Sequence, residues 1–218
     1  MKNKPPNYIN QDEYFQSSVL IAFIIQDSEY FLVLEQRSAH VSQAGEICFP
    51  GGRFDHTLDT TTKDTAIRET WEELGVEPDE IEDVNYWGTY IAPTHTLIDV
   101  YVGMLAVDDI DQVPFNEDEV EKLLVIPFSH FTNQPPALYE IDGWSSPYRS
   151  EKEEDATIFP AKELGLPTRY HAPWRGKPRK IYVYPTDDVP IWGLTAYIIK
   201  KFTAEYPHPD MFFNKANL

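Results

Sequence analysis

Residues 68–76 read Arg68-Glu69-Thr70-Trp71-Glu72-Glu73-Leu74-Gly75-Val76. As a helix, acids spaced i, i+3 and i+4 put Glu69, Glu72 and Glu73 on one face. Like charges at that spacing repel by roughly 0.2–0.5 kcal/mol per pair. Gly75 reads as the left-handed residue that ends the helix. The acids therefore sit at its C-terminal end, where the macrodipole disfavours each by roughly 0.3–1 kcal/mol. Arg68 gives little relief, because arginine before glutamate is the weaker i, i+4 order. A divalent cation would offset all these costs, and oxygen-only ligands select a hard ion, Mg2+ or Mn2+. A solvated acidic face on a surface helix is the other reading of the same pattern, and the residues upstream weigh between the two.

Residues 45–52 run Gly45-Glu46-Ile47-Cys48-Phe49-Pro50-Gly51-Gly52, a short strand leading into a Pro-Gly-Gly turn. Glycine in such a turn lets backbone come close to a ligand and present main-chain groups to a metal or phosphate. The loop that follows carries Asp55, His56 and Asp59 and then three threonines, Thr60-Thr61-Thr62. One of these threonines is expected to cap the helix, with Asp64 in the first turn where the dipole favours it. Ala66, Thr70 and Leu74 are expected to form the packing face.

Gly51-Gly52 followed by Arg-Glu-x-x-Glu-Glu-x-Gly-Val resembles the Nudix box of diphosphate hydrolases, although Arg68 stands two positions further from Gly52 than in the usual box. A narrower stretch, Val33 to Gly52, is similar to the coenzyme A pyrophosphatase branch. Arg37, Ser38, Gly45, Phe49, Pro50, Gly51, Gly52, Asp55 and Asp59 fit that branch, as does Trp192-Gly193-Leu194-Thr195-Ala196. Its Leu-Arg is Val41-Ser42 here, and Glu46 replaces a glutamine. The resemblance implies a Mg2+- or Mn2+-dependent hydrolase of a nucleoside diphosphate derivative, with coenzyme A or its thioesters first. ADP-ribose or a nucleotide sugar is the rival substrate, and a nucleotide-binding regulator without turnover is the rival class. The resemblance also implies that Glu69, Glu72 and Glu73, with the Gly52 carbonyl, hold the metal while Arg68 orients a glutamate. Diphosphate hydrolysis needs charge stabilisation and an oriented water. Glu119, in Asn116-Glu117-Asp118-Glu119-Val120, resembles the extra carboxylate of a Nudix loop and is a candidate base, with Glu72 the alternative.

The 218 residues carry a net charge of −18, with 42% hydrophobic and 14% aromatic content. The charge argues against nucleic acid or an anionic membrane as partner, and no stretch approaches the roughly 20 apolar residues of a membrane span. Cys48 is the only cysteine, which suits a reducing cytoplasm and packing in a strand better than nucleophilic chemistry. The expected partner is a small diphosphate, with a homodimer left open. Between Glu163 and Asp187 no acid occurs, and five of the 18 Lys and Arg residues lie within 169–180. Arg175 and Lys177 there could hold phosphates, and Trp174 or Tyr170 could stack on a base; a surface loop balancing an acidic body is the equal alternative. Arg37, from the strand before the box, and His95, between two strands, are further candidates for substrate contact. His40, His56 and His171 lack a zinc-ligand spacing. The run Glu151-Lys152-Glu153-Glu154-Asp155 reads as a solvated loop.

Residues 17–25 and 30–36 read as a hairpin, followed by a short strand near 46–49, a helix at about 62–74 and strands at 84–91 and 97–107. A turn or short helix at 116–122 precedes another strand, and 137–142 and 179–184 are expected to pair. A last helix is expected from Pro190, with Ile191, Leu194, Ile198 and Phe202 buried. Residues 1–14 read as a flexible tail. Residues 15–218 read as one domain with an aromatic-rich, partly basic insertion at about 143–180. Mixed strands with two principal helices suggest an α/β/α sandwich with a mixed β-sheet, and the resemblance implies the same.

Overall fold

A computed structural model describes residues 10, 13–107, 109–148 and 158–216. The acidic run 151–155 and most of the expected tail 1–14 lie outside the described residues. The chain forms strands β1 (Phe15–Gln26), β2 (Glu29–Arg37), β3 (Ile47–Cys48) and β4 (Gly51–Arg53), then helix α1 (Thr62–Leu74). Strands β5 (Ile81–Ala92), β6 (Thr96–Leu105) and β7 (Val120–Pro127) follow, then α2 (Phe128–Asn133). After β8 (Ala137–Ile141), β9 (Trp144–Ser145), β10 (Trp174–Arg175) and β11 (Arg179–Tyr184) come β12 (Ile191–Trp192), α3 (Gly193–Glu205) and α4 (Asp210–Ala216). They fall into two compact units, 137–183 and the remainder.

The larger unit is built on a seven-stranded mixed sheet in which β3-β2-β1-β6-β5 run side by side, β4 adds to β1 and β7 to β2. Only β1 and β6 pair in parallel; the other pairs are antiparallel. The β1–β2 hairpin closes through Asp27 and Ser28, both at positive φ (49° and 64°), the two-residue turn whose twist suits paired strands. Alternation along β1 sends its side chains to opposite faces. Leu20, Ala22 and Ile24 pack with Ala66 and Leu74 of α1. Phe23 instead meets Phe128 and Phe202, with ring centroids 5.4 and 5.9 Å away. Helices thus cover both faces, and the α/β/α sandwich with a mixed sheet is the observed architecture. No helix among the described residues is long and apolar enough to cross a membrane.

Local signals set α1. Thr61 caps it, accepting from the Asp64 N–H, while the Asp64 carboxylate accepts from the Thr61 N–H in return. At the other end Gly75 takes φ 72° and donates to the Trp71 carbonyl at 2.8 Å. The expected packing residues Ala66, Thr70 and Leu74 are all fully buried. The helix expected from Pro190 is α3, and it is not the last, since α4 follows it. It starts at Gly193, not Pro190, because Ile191 and Trp192 are extended and Ile191 is completely buried; burial overrides the first-turn preference of proline. Thr195, Ala196 and Ile199 join Ile198 and Phe202 on its buried side, and Leu194 is only half-buried.

The smaller unit spans residues 137–183. Within it β8 pairs antiparallel with β11, as 137–142 and 179–184 suggested, and β9 with β10.

Candidate active site

Three elements of the larger unit converge at the C-terminal half of α1. The first is β4. Its Gly51 lies across the backbone of β1, so that a Cβ there would run into the Ser18 carbonyl and the Val19 backbone. The Gly51 N–H donates to Glu73 Oε2 at 2.8 Å. A Cβ on Gly52 would run into the carboxylate of Glu69. The glycine pair is therefore the floor on which two of the three box carboxylates rest.

The second element is the loop 54–61. Arg68 grips it bidentately: Nε and Nη2 donate to the two oxygens of Asp59, each at 2.9 Å. Asp59 Oδ2 also accepts from the Asp55 N–H at 3.0 Å and the Thr65 hydroxyl at 2.9 Å. The Arg68 guanidinium holds the Asp59 carboxyl well below the usual carboxylate range. The remaining nitrogen, Nη1, donates to Glu69 Oε1 and Glu72 Oε2, both at 2.8 Å. Arg68 therefore does more than orient one glutamate: it locks the loop to the helix through Asp59 and bridges two of the acids.

The third element is the turn before β7. The Asn116 N–H donates to the Glu73 carbonyl at 2.9 Å, and the Ser38 N–H donates to the Glu119 carbonyl at 2.8 Å. The Ser38 hydroxyl adds a bond to the Asp118 carbonyl at 2.6 Å. Ser38, at the end of β2, thus pins the Glu119 turn beside α1. The Glu119 side chain is exposed, and its charge is felt by Glu69 and Glu35.

Burial divides the three box glutamates. Glu72 is half open to solvent, Glu69 mostly buried and Glu73 buried. Desolvation raises the Glu69 carboxyl, and desolvation together with the charge of Glu35 raises Glu73 further. Glu35 is a member of this group that the sequence reading did not single out. It is buried on β2, desolvation also raises its carboxyl, and its Oε2 has no hydrogen-bond partner. The available signal was strand alternation, which puts Glu35 on the face that Val33 presents to α1.

Arg37 ends β2 near these acids, with Nη1 3.9 Å from Glu35 Oε1 and Nε donating to the Ser42 carbonyl at 2.9 Å. Burial pushes the Cys48 thiol well up, so it packs rather than attacks. His95 is exposed in the β5–β6 turn at φ 59°, its ring 5.5 Å from that of Tyr14. That turn adjoins Phe15, about 10 Å along β1 from Ser18 by strand rise, and Ser18 is the residue that pairs with Gly52. His95 is therefore not brought against the glutamates. Trp174, Arg175 and Lys177 belong to the smaller unit. There Arg175 Nε donates to Asp142 Oδ1 at 3.0 Å, and the Trp174 ring meets Tyr170 edge-on at 5.3 Å.

The donor set fits a hard divalent cation. It is all oxygen, it includes a buried carboxylate oxygen without a partner, and its glycine floor admits a ligand where a side chain would block it. Among the described residues no three acids already converge on one point. Arg68 holds Glu69 and Glu72, and the Gly51 N–H holds Glu73, so a cation held by all three would have to compete with the arginine for the first two.

A model of the NUDIX domain matches residues 15–145. Nudix hydrolase 3 of Caenorhabditis elegans is 34% identical over 132 residues, 57% of this chain and 53% of that protein. The peroxisomal coenzyme A diphosphatase NUDT7 of Mus musculus is 33% identical over 124 residues, 56% of this chain and 51% of that protein. The chain thus spans about half the length of these two curated relatives. A Nudix hydrolase called NudL in Escherichia coli O6:H1, described as uncharacterized, is 27% identical over 197 residues, 87% of this chain and 82% of that one.

Proposed function

The chain belongs to the NUDIX domain family, and on that premise we propose that it hydrolyses the diphosphate bond of a nucleoside diphosphate derivative, coenzyme A or its thioesters first. The observation that carries this reading is the trio Glu69, Glu72 and Glu73 on α1, two of them seated on Gly51 and Gly52. The similarity to a coenzyme A diphosphatase supports the substrate class. Glu69, Glu72, Glu73 and the Gly52 carbonyl would hold Mg2+ or Mn2+, which when bound polarises phosphoryl oxygens and acidifies water.

The chain's own residues supply positioning and proton transfer. In the hydrolysis, water oxygen bonds to one phosphorus, the bridging P–O bond breaks, and the carboxylate of Glu119 takes the water's proton, with Glu72 the alternative acceptor. The Glu119 side chain is exposed, whereas the Glu72 carboxylate already accepts from Arg68. Arg68 keeps the loop and the acids in register through Asp59. Arg37 would meet a substrate phosphate and His95 the outer part of the substrate; in the smaller unit, Arg175 and Lys177 are candidates for binding phosphates and Trp174 for stacking on a base. The single cysteine suits a reducing compartment such as the cytoplasm.

ADP-ribose or a nucleotide sugar is the rival substrate, favoured by Val41-Ser42 in place of Leu-Arg. Purified protein incubated with Mg2+ or Mn2+ and, separately, coenzyme A, ADP-ribose and a nucleoside triphosphate decides between them by product chromatography. Release of 4'-phosphopantetheine and adenosine 3',5'-bisphosphate supports the first reading. Cleavage of ADP-ribose alone transfers the assignment to the rival. Cleavage of no diphosphate overturns the hydrolase and leaves a nucleotide-binding module.

A further inference from the structure

Side chains alternate along β2, so Val33, Glu35 and Arg37 share one face. On that face Val33 packs with Ala66 and Leu74 of α1, and one position pair further along stands a carboxylate where the pattern calls for an apolar group. Glu35 is 1% exposed. Its Oε1 accepts from the Cys48 thiol at 3.2 Å and lies 3.9 Å from Arg37 Nη1. Its Oε2 is buried and has no partner at all. Leaving a buried polar atom unpaired costs about 1–3 kcal/mol, and more when it is charged. Its surroundings make the position worse, since Glu119 and Glu69 act on Glu35, and Glu35 is the largest charged influence on Glu73. Arg37 is one cation facing these acids, and part of its hydrogen-bonding capacity is already spent on the Ser42 carbonyl. Hydrophobic packing gives no reason for a glutamate here, since a leucine or methionine would fill the same space without the penalty.

We propose that Glu35 is a further carboxylate ligand, beside Glu73, for a divalent cation held between β2 and α1. The unpartnered Oε2 is the atom that would bind, while the Cys48 S–H keeps Oε1 in place. This extends the ligand set from one helix onto the sheet. A ligand on β2, a strand held between neighbours on both sides, is fixed more rigidly than the exposed Glu72. The inference rests on the hydrolase reading for the presence of cations, but its test does not depend on turnover.

The test is Mn2+ titration followed by electron paramagnetic resonance on the whole chain, comparing wild type, Glu35→Gln and Glu72→Gln, each with its thermal melt in chelator. Glu35→Gln keeps the shape and an acceptor for Cys48. It is expected to lose one bound Mn2+ or to weaken binding about 10–100-fold, with a melt no lower than wild type. Should that variant fold poorly, Glu35→Met, which fills the space without a ligating oxygen, takes its place. Unchanged Mn2+ number and affinity in the Glu35 variant, with loss in Glu72→Gln, overturns this inference and leaves the hydrolase reading standing. A wild type that binds no Mn2+ overturns both.

Discussion

Replacing Gly52 by alanine separates the catalytic demand at this position from the demands of the fold. The methyl group would fall far inside contact distance of all three carboxyl atoms of Glu69, which are its three nearest neighbours. Those atoms are the far end of a flexible side chain, so the fold gives way easily. To restore the 3.4 Å of ordinary packing, the carboxylate must retreat by about 1 Å, and a misplacement of that size costs about 100-fold in rate. That is about 2.7 kcal/mol of transition-state stabilisation at 1.36 kcal/mol per tenfold. Gly51→Ala is the internal contrast, because its methyl meets backbone of β1 that cannot move without opening the sheet. The assay is kcat on the best substrate of the panel with saturating Mg2+, together with thermal melts of both variants. The expected result is a Gly52→Ala protein that melts near wild type and turns over about 100-fold more slowly, and a Gly51→Ala protein that melts well below it. Turnover of Gly52→Ala within threefold of wild type would show that the position of Glu69 over Gly52 does not matter to the chemistry.

Asp59→Asn removes the charge that Arg68 grips in a largely buried pair. Breaking such a pair costs about 3 kcal/mol, or about 6–12 °C of melting temperature at this chain length. Turnover should fall with it, because Arg68 loses the partner that sets its position; an unchanged melt would refute the anchoring role. The pH dependence of the metal-free protein has a definite sign. Glu35 and Glu73 are both raised by burial from the ordinary value of 4.5, so their contribution to stability is complete below that value and is lost as pH rises through the raised ones. Melts in chelator should therefore fall on the alkaline side, Mg2+ should restore them, and Glu73→Gln should flatten the profile while abolishing turnover. An identical slope in Glu73→Gln would remove Glu73 from the account. Lys177→Ala, and more weakly Arg175→Ala because Asp142 already engages that arginine, should raise KM for phosphorylated substrates more than either lowers kcat. Unchanged KM in both variants would return this segment to the surface-loop reading.

What the sequence made legible was local. The bounds of α1 follow from a capping box and a left-handed glycine, each within a few residues of the helix they delimit. The β1–β2 hairpin was legible as two apolar runs, 17–25 and 30–36, separated by a short polar stretch; the strands pair out to Gln26 and Glu29, which shortens the turn to two residues. The elements that were missed lack such signals. The helices α2 and α4 are six and seven residues long, too short for a 3.6-residue period to register. The start of α3 carried a misleading signal, since Pro190 favours a first turn but Ile191 is drawn into the core as an extended residue. The site divides along the same line. Glu69, Glu72 and Glu73 could be read because one helix sets their spacing. Glu35 carried only the signal of strand alternation, and the anchoring roles of Ser38 and Asp59 carried none, because each depends on what the sheet and the loop bring against α1 from elsewhere in the chain.

That division bears on the chemistry. Glu72 and Glu69 share the guanidinium of Arg68, whose strongest engagement is Asp59. Glu73 is held by a neutral backbone N–H, and Glu35 chiefly by a neutral thiol with Arg37 3.9 Å away. Neutral donors fix a carboxylate without cancelling its charge. Two glycines in succession make this arrangement possible, because side chains at 51 and 52 would occupy the space in which β1, Glu69 and Glu73 meet. The sheet face opposite the C-terminal half of α1 thus holds a negative charge that its own basic residues only partly balance, in a chain whose net charge is already −18. A diphosphate would be repelled from such a surface. A divalent cation reverses the local sign, and the same carboxylates that would exclude the substrate then fix the ion that attracts it.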